Sequence, residues 1–244
     1  MERAGFSANA ATLTGLGLTV IGGVAAFVRN NYPGLGMPHG FGETATVLGG
    51  SLDVLDGKIA RAQDEKGLRT EEQKKWGGIT DAAGDRLGAL VCTMLRAETA
   101  RQRGDVLGES LALYNAVAQN LPSLVRGMAE WTGVAVPEQD FGSYLTRWGL
   151  AFGGTHFPTE GGLPIQPATE GLAAVFSTVT ILRRGWNTLT RQGDRVTPEE
   201  QRDAAYKVLV LAGITGLSVA VVAGYLVSTR SDKIAVLLKQ AGLG

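Results

Sequence analysis

The chain has 244 residues, room for one or two domains. Basic and acidic side chains number 23 each, so the formal charge is zero and bulk electrostatics give no reason to expect a nucleic-acid partner. The single cysteine, Cys92, excludes an internal disulfide, and with only His39 and His156 beside it a zinc site of the usual ligands is not expected.

Mean hydropathy is only +0.07, yet that average mixes polar loops with charge-free runs. The first such run, Ala4–Val28, is long enough to cross about 30 Å of hydrocarbon. No small-residue cleavage site precedes Arg29, so a helix over about Ala10–Val28 is expected rather than a secretory signal. Asn30-Asn31-Tyr32-Pro33-Gly34 ends it. A second helix is expected from Gly42 through Arg61, then a charged loop over Ala62–Trp76. A third helix is expected to begin near Gly77 and reach Leu95, and a fourth to cover Leu107–Trp131. After a loop over Thr132–Gln139 comes a short fifth segment, Phe141–Phe157. The turn Pro158–Pro164 leads to a sixth, Ala168–Trp186. A seventh apolar run spans Val208–Thr229, and an amphipathic piece, Lys233–Leu243, closes the chain.

Two stretches carry chemistry: Asp53-Val-Leu-Asp56-Gly57-Lys-Ile-Ala60-Arg61 and Gly77-Gly-Ile-Thr-Asp81-Ala-Ala-Gly-Asp85. On helices, spacings of three and four put each pair of aspartates on one face. Carboxylates so close repel unless cations sit between them, and an all-oxygen set suits Mg²⁺ or Mn²⁺. Amid apolar, glycine-rich segments such acids are costly and point to function.

This pattern resembles the CDP-alcohol phosphotransferase family, whose motif reads D-x2-D-G-x2-A-R, a spacer, then G-x3-D-x3-D. Asp53, Asp56, Gly57, Ala60, Arg61, Gly77, Asp81 and Asp85 fill every fixed position. The departure is the spacer Ala62–Trp76, longer than the family's. The resemblance implies an all-α integral membrane protein with a core of six transmembrane helices. Residues 1–190 would form that core and 191–244 an extension carrying the added apolar helix, about 204–229. It implies transfer of a phosphatidyl-type group from a CDP-linked lipid to an alcohol with release of CMP. Two Mg²⁺ or Mn²⁺ ions would lie on Asp53, Asp56, Asp81 and Asp85, with Asp85 as general base. Gly57 and Ala60 would let the nucleotide approach, Arg61 would hold a phosphate, and Gly77 would leave room where a helix N-terminus favours phosphates. Asn9 and Thr12 match the family's cytidine contacts.

Arg126, in Leu124-Val-Arg126-Gly-Met-Ala129-Glu130, and Arg147, in Thr146-Arg147-Trp148, resemble the arginines with which phosphatidylinositol-phosphate synthases hold inositol phosphate. Glycerol phosphate, the acceptor of phosphatidylglycerol-phosphate synthases, needs the same cations, and interfacial snorkelling also explains either arginine. The resemblance further implies a homodimer, for which the glycine-rich third helix offers a close-packing surface, and a cell-membrane location with the site facing the cytoplasm. Charge supports that orientation: Arg183, Arg184, Arg191 and Arg195 fall on the same side as Lys66, Arg69, Lys74 and Lys75, against Arg96, Arg101 and Arg103 opposite. Trp76, Trp131, Trp148 and Trp186 sit near span ends, as interfacial aromatics do. Tyr114, Asn115 and Asn120 are expected to bond between helices, and Arg86 to pair with Asp85. A divalent-cation transporter is the rival of another class, predicting acids strung along a pore and an inverted repeat. An inactive scaffold would be expected to lack at least one aspartate.

Overall fold

The computed structural model describes residues 8–38, 40–136, 165–190 and 194–240. Almost all of them are helical: α1 (Ala8–Asn31), α2 (Phe41–Glu65), α3 (Glu71–Gln102), α4 (Val106–Ala118), α5 (Leu121–Trp131), α6 (Ile165–Leu189) and α7 (Pro198–Gln240). The expected fifth segment, Phe141–Phe157, its turn to Pro164, and Arg147, Trp148, His39 and His156 lie outside the described residues.

Small residues dictate how α1 and α2 pack. Gly15, Thr19, Gly22 and Ala26 repeat along α1, and Gly42, Thr46 and Gly49 along α2. A Cβ on Gly22 would lie 2.6 Å from the Gly42 carbonyl oxygen and 2.8 Å from the Thr46 nitrogen. One on Gly49 would lie 2.6 Å from the Gly15 carbonyl oxygen. The backbones therefore touch, as in small-x-x-x-small packing between membrane helices. Thr19 and Thr46 return their hydroxyls to Gly15 O and Gly42 O, both at 2.9 Å, so no hydroxyl is left exposed at the contact. α3 lies on the other side of α1, with Gly84 and Gly88 against Leu16. These glycines of the third helix thus face α1 of their own chain.

The expected loop Ala62–Trp76 is mostly helix. α2 continues to Glu65 and stops in a Schellman turn, with Gly67 at φ +64° and Leu68 N donating to Gln63 O at 2.9 Å. α3 begins at Glu71, six residues before Gly77, because Thr70 and Gln73 form a reciprocal capping box ahead of a run of good helix formers. Gly77 is therefore one and a half turns inside the helix, and the N-terminal dipole expected there belongs to residues 71–74. The expected fourth helix is also two. Asn120 and Pro122 break it into α4, 13 residues, and α5, 11 residues, each about 20 Å or less and too short to cross a bilayer alone.

α4 and α5 pack against α6 and α7, and α7 also touches α3. Gly127 of α5 admits Val208 of α7, whose side chain would lie 3.0 Å from a Cβ there. Two-residue strands, β1 (Val134–Ala135) and β2 (Asp194–Arg195), pair antiparallel and join the end of α5 to the start of α7. The seventh apolar run and the terminal amphipathic piece are parts of the single α7, kinked at Arg230, whose guanidinium reaches Glu109 of α4 at 2.5 Å.

The interior is small and polar; the exterior is large and apolar. Alanines dominate the buried apolar set, with Thr93, Arg96, Glu109, Asn115, Glu170 and Ser218 beside them. Leu13, Ile21, Val24, Leu172, Val175, Leu182, Leu209 and Leu217 are exposed. Polar groups bond across helices, Tyr114 at an exposed contact and Asn115 and Asn120 at buried ones. Tyr114 meets the Thr178 hydroxyl at 2.6 Å, Asn120 donates to Ser218 Oγ at 2.8 Å, and Asn115 donates to Glu170 at 2.6 Å, as expected of these residues. Arg96 Nε lies 2.5 Å from Glu170 Oε1, an ion pair with both side chains buried. Among the described residues two helices, α1 and Pro198–Ser231 of α7, are long and apolar enough to cross a membrane. The other expected spans carry charges or are broken.

Candidate active site

Both halves of the aspartate motif sit at one end of the bundle. The α1–α2 hairpin brings the last turns of α2 beside the first turns of α1, and the tight turn at 66–70 sends α3 back past the same end. Thr12 joins the pieces. Its hydroxyl donates to Asp56 Oδ2 at 2.5 Å, in the range of a charge-assisted bond, while the alternative acceptor Ala8 O is at 3.2 Å. Its methyl lies beside Gly84, where a Cβ would be 3.7 Å away. Asp56 and Thr12 are both buried. Asn9 faces Gly77, its Oδ1 3.3 Å from where a Cβ would sit. Asn9, Thr12, Asp56 and Gly77, picked from sequence, are thus assembled on three helices.

Gly77 leaves room for a side chain that the sequence did not suggest. The Arg69 guanidinium occupies that room, with Nη1 on Asp64 at 3.2 Å and Nη2 on Gln73 O at 3.1 Å. The signal was present: an arginine in the spacer next to a capping box, treated as a solvated loop residue. Among the described residues nothing lies within 4 Å of a would-be Cβ on Gly57, so they leave that face of α2 open. Arg61 is exposed and Ala60 half-buried on the last turns of α2.

Asp81 and Asp85 are half-buried on α3. Asp85 borders a cavity of about 150 Å³ between α1, α2 and α3, and Thr12 borders it too. Gly15, Gly49, Gly84 and Gly88 form much of its wall, which makes it a slot shaped by missing side chains. Along α3 it reaches from Asp85 past Cys92 to Arg96, about 16 Å by helical rise. Arg86 and Gln119 close the end nearest Asp85, and Arg86 Nη1 donates to the Gln119 carbonyl oxygen at 2.6 Å.

Among the described residues no three of the acidic, histidine or cysteine side chains form a group able to hold a metal ion, so Asp56, Asp81 and Asp85 do not make one without a further ligand. The Asp53 side chain, the fourth member, lies outside the description. Arg126 does not border the cavity; it pairs with Glu130 at 2.7 Å on α5. Arg184, counted above among the cytoplasmic arginines, is buried and donates to Pro122 O at 2.8 Å. Arg96, counted on the opposite side, is buried on Glu170. Neither reports on membrane orientation. Trp76, Trp131 and Trp186 are exposed.

No protein-family model matches the chain, and no curated protein matches it.

Proposed function

We propose that the chain is a membrane-embedded CDP-alcohol phosphotransferase that moves a phosphatidyl-type group from a CDP-linked lipid to an alcohol, releasing CMP. The observation that carries this reading is Thr12: it bonds Asp56 of the first half-motif and shares one cavity with Asp85 of the second. An incidental resemblance has no reason to bring both halves to one recess.

In this reading Asn9 and the open face over Gly57 receive the cytidine, and Arg61 holds a phosphate in a bidentate fork. The acceptor hydroxyl oxygen attacks the lipid-linked phosphorus, the bond from that phosphorus to the CMP oxygen breaks, and the hydroxyl proton passes to the Asp85 carboxylate. Thr12 holds Asp56 in place. Asp53, Asp56, Asp81 and Asp85 are the oxygen donors that would hold Mg²⁺ or Mn²⁺, which would neutralise the diphosphate. The acceptor is a phosphorylated polyol, inositol phosphate ahead of glycerol phosphate. That choice rests only on the sequence pattern around Arg126 and Arg147: a dianion in a partly dry site needs cations, but Arg126 pairs with Glu130 and does not border the cavity.

The membrane setting is supported by the inverted exterior. Large side chains such as Leu182 and Leu209, at 67% and 72% exposure, suit hydrocarbon rather than water. A six-span core would need the segment at 141–157 and a continuous α4–α5 pair to cross together. Residues at the motif end face the cytoplasm, and the protein acts as a homodimer. A divalent-cation transporter is less well supported, because the motif acids gather at one end of the bundle instead of lining a path through it. The test is direct: purified protein in detergent with a CDP-linked lipid, Mg²⁺ and a panel of alcohols, read by CMP release. No CMP with any acceptor overturns the reading.

A further inference from the structure

The break between α4 and α5 puts an unusual side chain beside Asp85. Gln119 is 6% exposed and borders the cavity, and its amide nitrogen is buried with no hydrogen-bond partner among the described residues. A buried amide donor without a partner is destabilising, so natural chains retain one where something else completes it. The backbone of Gln119 is fixed on both sides: its N–H donates to Asn115 O at 3.2 Å, and its carbonyl oxygen accepts from Arg86 at 2.6 Å. Arg86 follows Asp85 directly on α3, so that bond ties the glutamine to the half-motif carrying the base. Thr12, Thr19, Thr46, Arg86 and Arg96 also line the cavity, but Thr12 bonds Asp56, Thr19 and Thr46 return their hydroxyls to their own helices, Arg86 holds the Gln119 carbonyl and Arg96 pairs with Glu170.

We infer that Gln119 is the specificity contact for the acceptor: its amide N–H donates to an oxygen of the hydroxyl-bearing substrate as that substrate lies beside Asp85. This rests on the transferase reading above and adds a residue that the motif does not contain. The ligand it fits is a small polyoxygenated alcohol, seated at the end of the cavity lined by Asp85, Arg86 and Gln119. Gln119 takes no part in proton transfer, so its effect falls on acceptor binding and leaves the chemical step alone.

The experiment compares wild type with Gln119→Leu and Gln119→Met, using whichever acceptor supports CMP release by the wild type. Both variants should raise the acceptor KM about tenfold, leave kcat within about twofold, and leave the CDP-lipid KM unchanged. Their melting temperatures should equal or exceed that of wild type, because an unpartnered buried donor has been removed. A wild-type acceptor KM in either folded variant overturns the inference while leaving the transferase reading intact. A parallel rise in both KM values with a lower melting temperature, or failure of both variants to fold, assigns Gln119 to structure and overturns it as well. A wild type that releases no CMP with any acceptor removes the reading and the inference together.

Discussion

Replacing Gly22 by alanine adds one methyl group where two backbones touch. That methyl would lie 2.6 Å from Gly42 O and 2.8 Å from Thr46 N, and neither atom can rotate away. Overpacking of this kind costs about 1–3 kcal/mol, and backbone neighbours put it near the upper end. Alanine in place of glycine within a helix returns about 1 kcal/mol. Gly17, on the same helix, has no described residue within 4 Å of a would-be Cβ, so Gly17→Ala should gain the helical term alone. Gly22→Ala should thus be less stable than Gly17→Ala by about 2–3 kcal/mol, which for a chain of this length is about 4–12 °C in Tm. Thermal unfolding of both variants in the same detergent measures the gap. Equal melting temperatures would refute the close α1–α2 contact, and with it the placement of Thr12 on Asp56.

Asp85→Asn should keep CDP-lipid binding while CMP release falls by about two orders of magnitude or more, and a near-normal rate would show that another group takes the proton. Excess chelator should abolish turnover, and Asp53→Ala, Asp56→Ala and Asp81→Ala should each lower it by about three orders of magnitude; full activity in chelator would remove the metal from the mechanism. Thr12→Val should raise the CDP-lipid KM severalfold and lower Tm by about 2–12 °C, since it removes a 2.5 Å donor from the buried Asp56 carboxylate, a loss of about 1–3 kcal/mol, without altering shape. Arg96→Leu alone should destabilise by about 3–5 kcal/mol by stranding Glu170, whereas Arg96→Leu with Glu170→Leu should be close to neutral. A double variant as unstable as the single would mean that the pair is not the source of the effect.

What could be read from the sequence was what depends on spacing. The spacing of the aspartates decides which face each pair shares, while Asn9, Thr12 and Gly77 came from the family resemblance; the structure brings Thr12 to Asp56 and Asn9 to Gly77. Helix ends were read less well, because capping competes with composition. The polar run before Gly77 looked like a loop, yet Thr70 and Gln73 start a helix inside it. Pro122 was visible, but the apolar pattern on either side masked the break it makes. Partners distant in sequence were the hardest. Nothing local marks Glu170 as the companion of Arg96, or Gln119 as a neighbour of Asp85, since both depend on how α3, α4 and α6 pack.

The Arg96–Glu170 pair also bears on how the protein is made. The two charges lie on α3 and α6, and about seventy residues of chain separate their synthesis. At about 5–20 residues per second, α3 waits roughly 4–15 s for its counter-charge. If α3 enters the bilayer during that interval, its Arg96, still without Glu170, adds about 2.5–3.5 kcal/mol against insertion to whatever the other charges of α3 cost. Nascent α3 then does best held at the translocation machinery or against α1, and released into lipid only with α6. Assembly becomes a delayed, order-dependent event, and a truncated chain ending before residue 165 should be a poor membrane protein and a ready substrate for quality-control proteases.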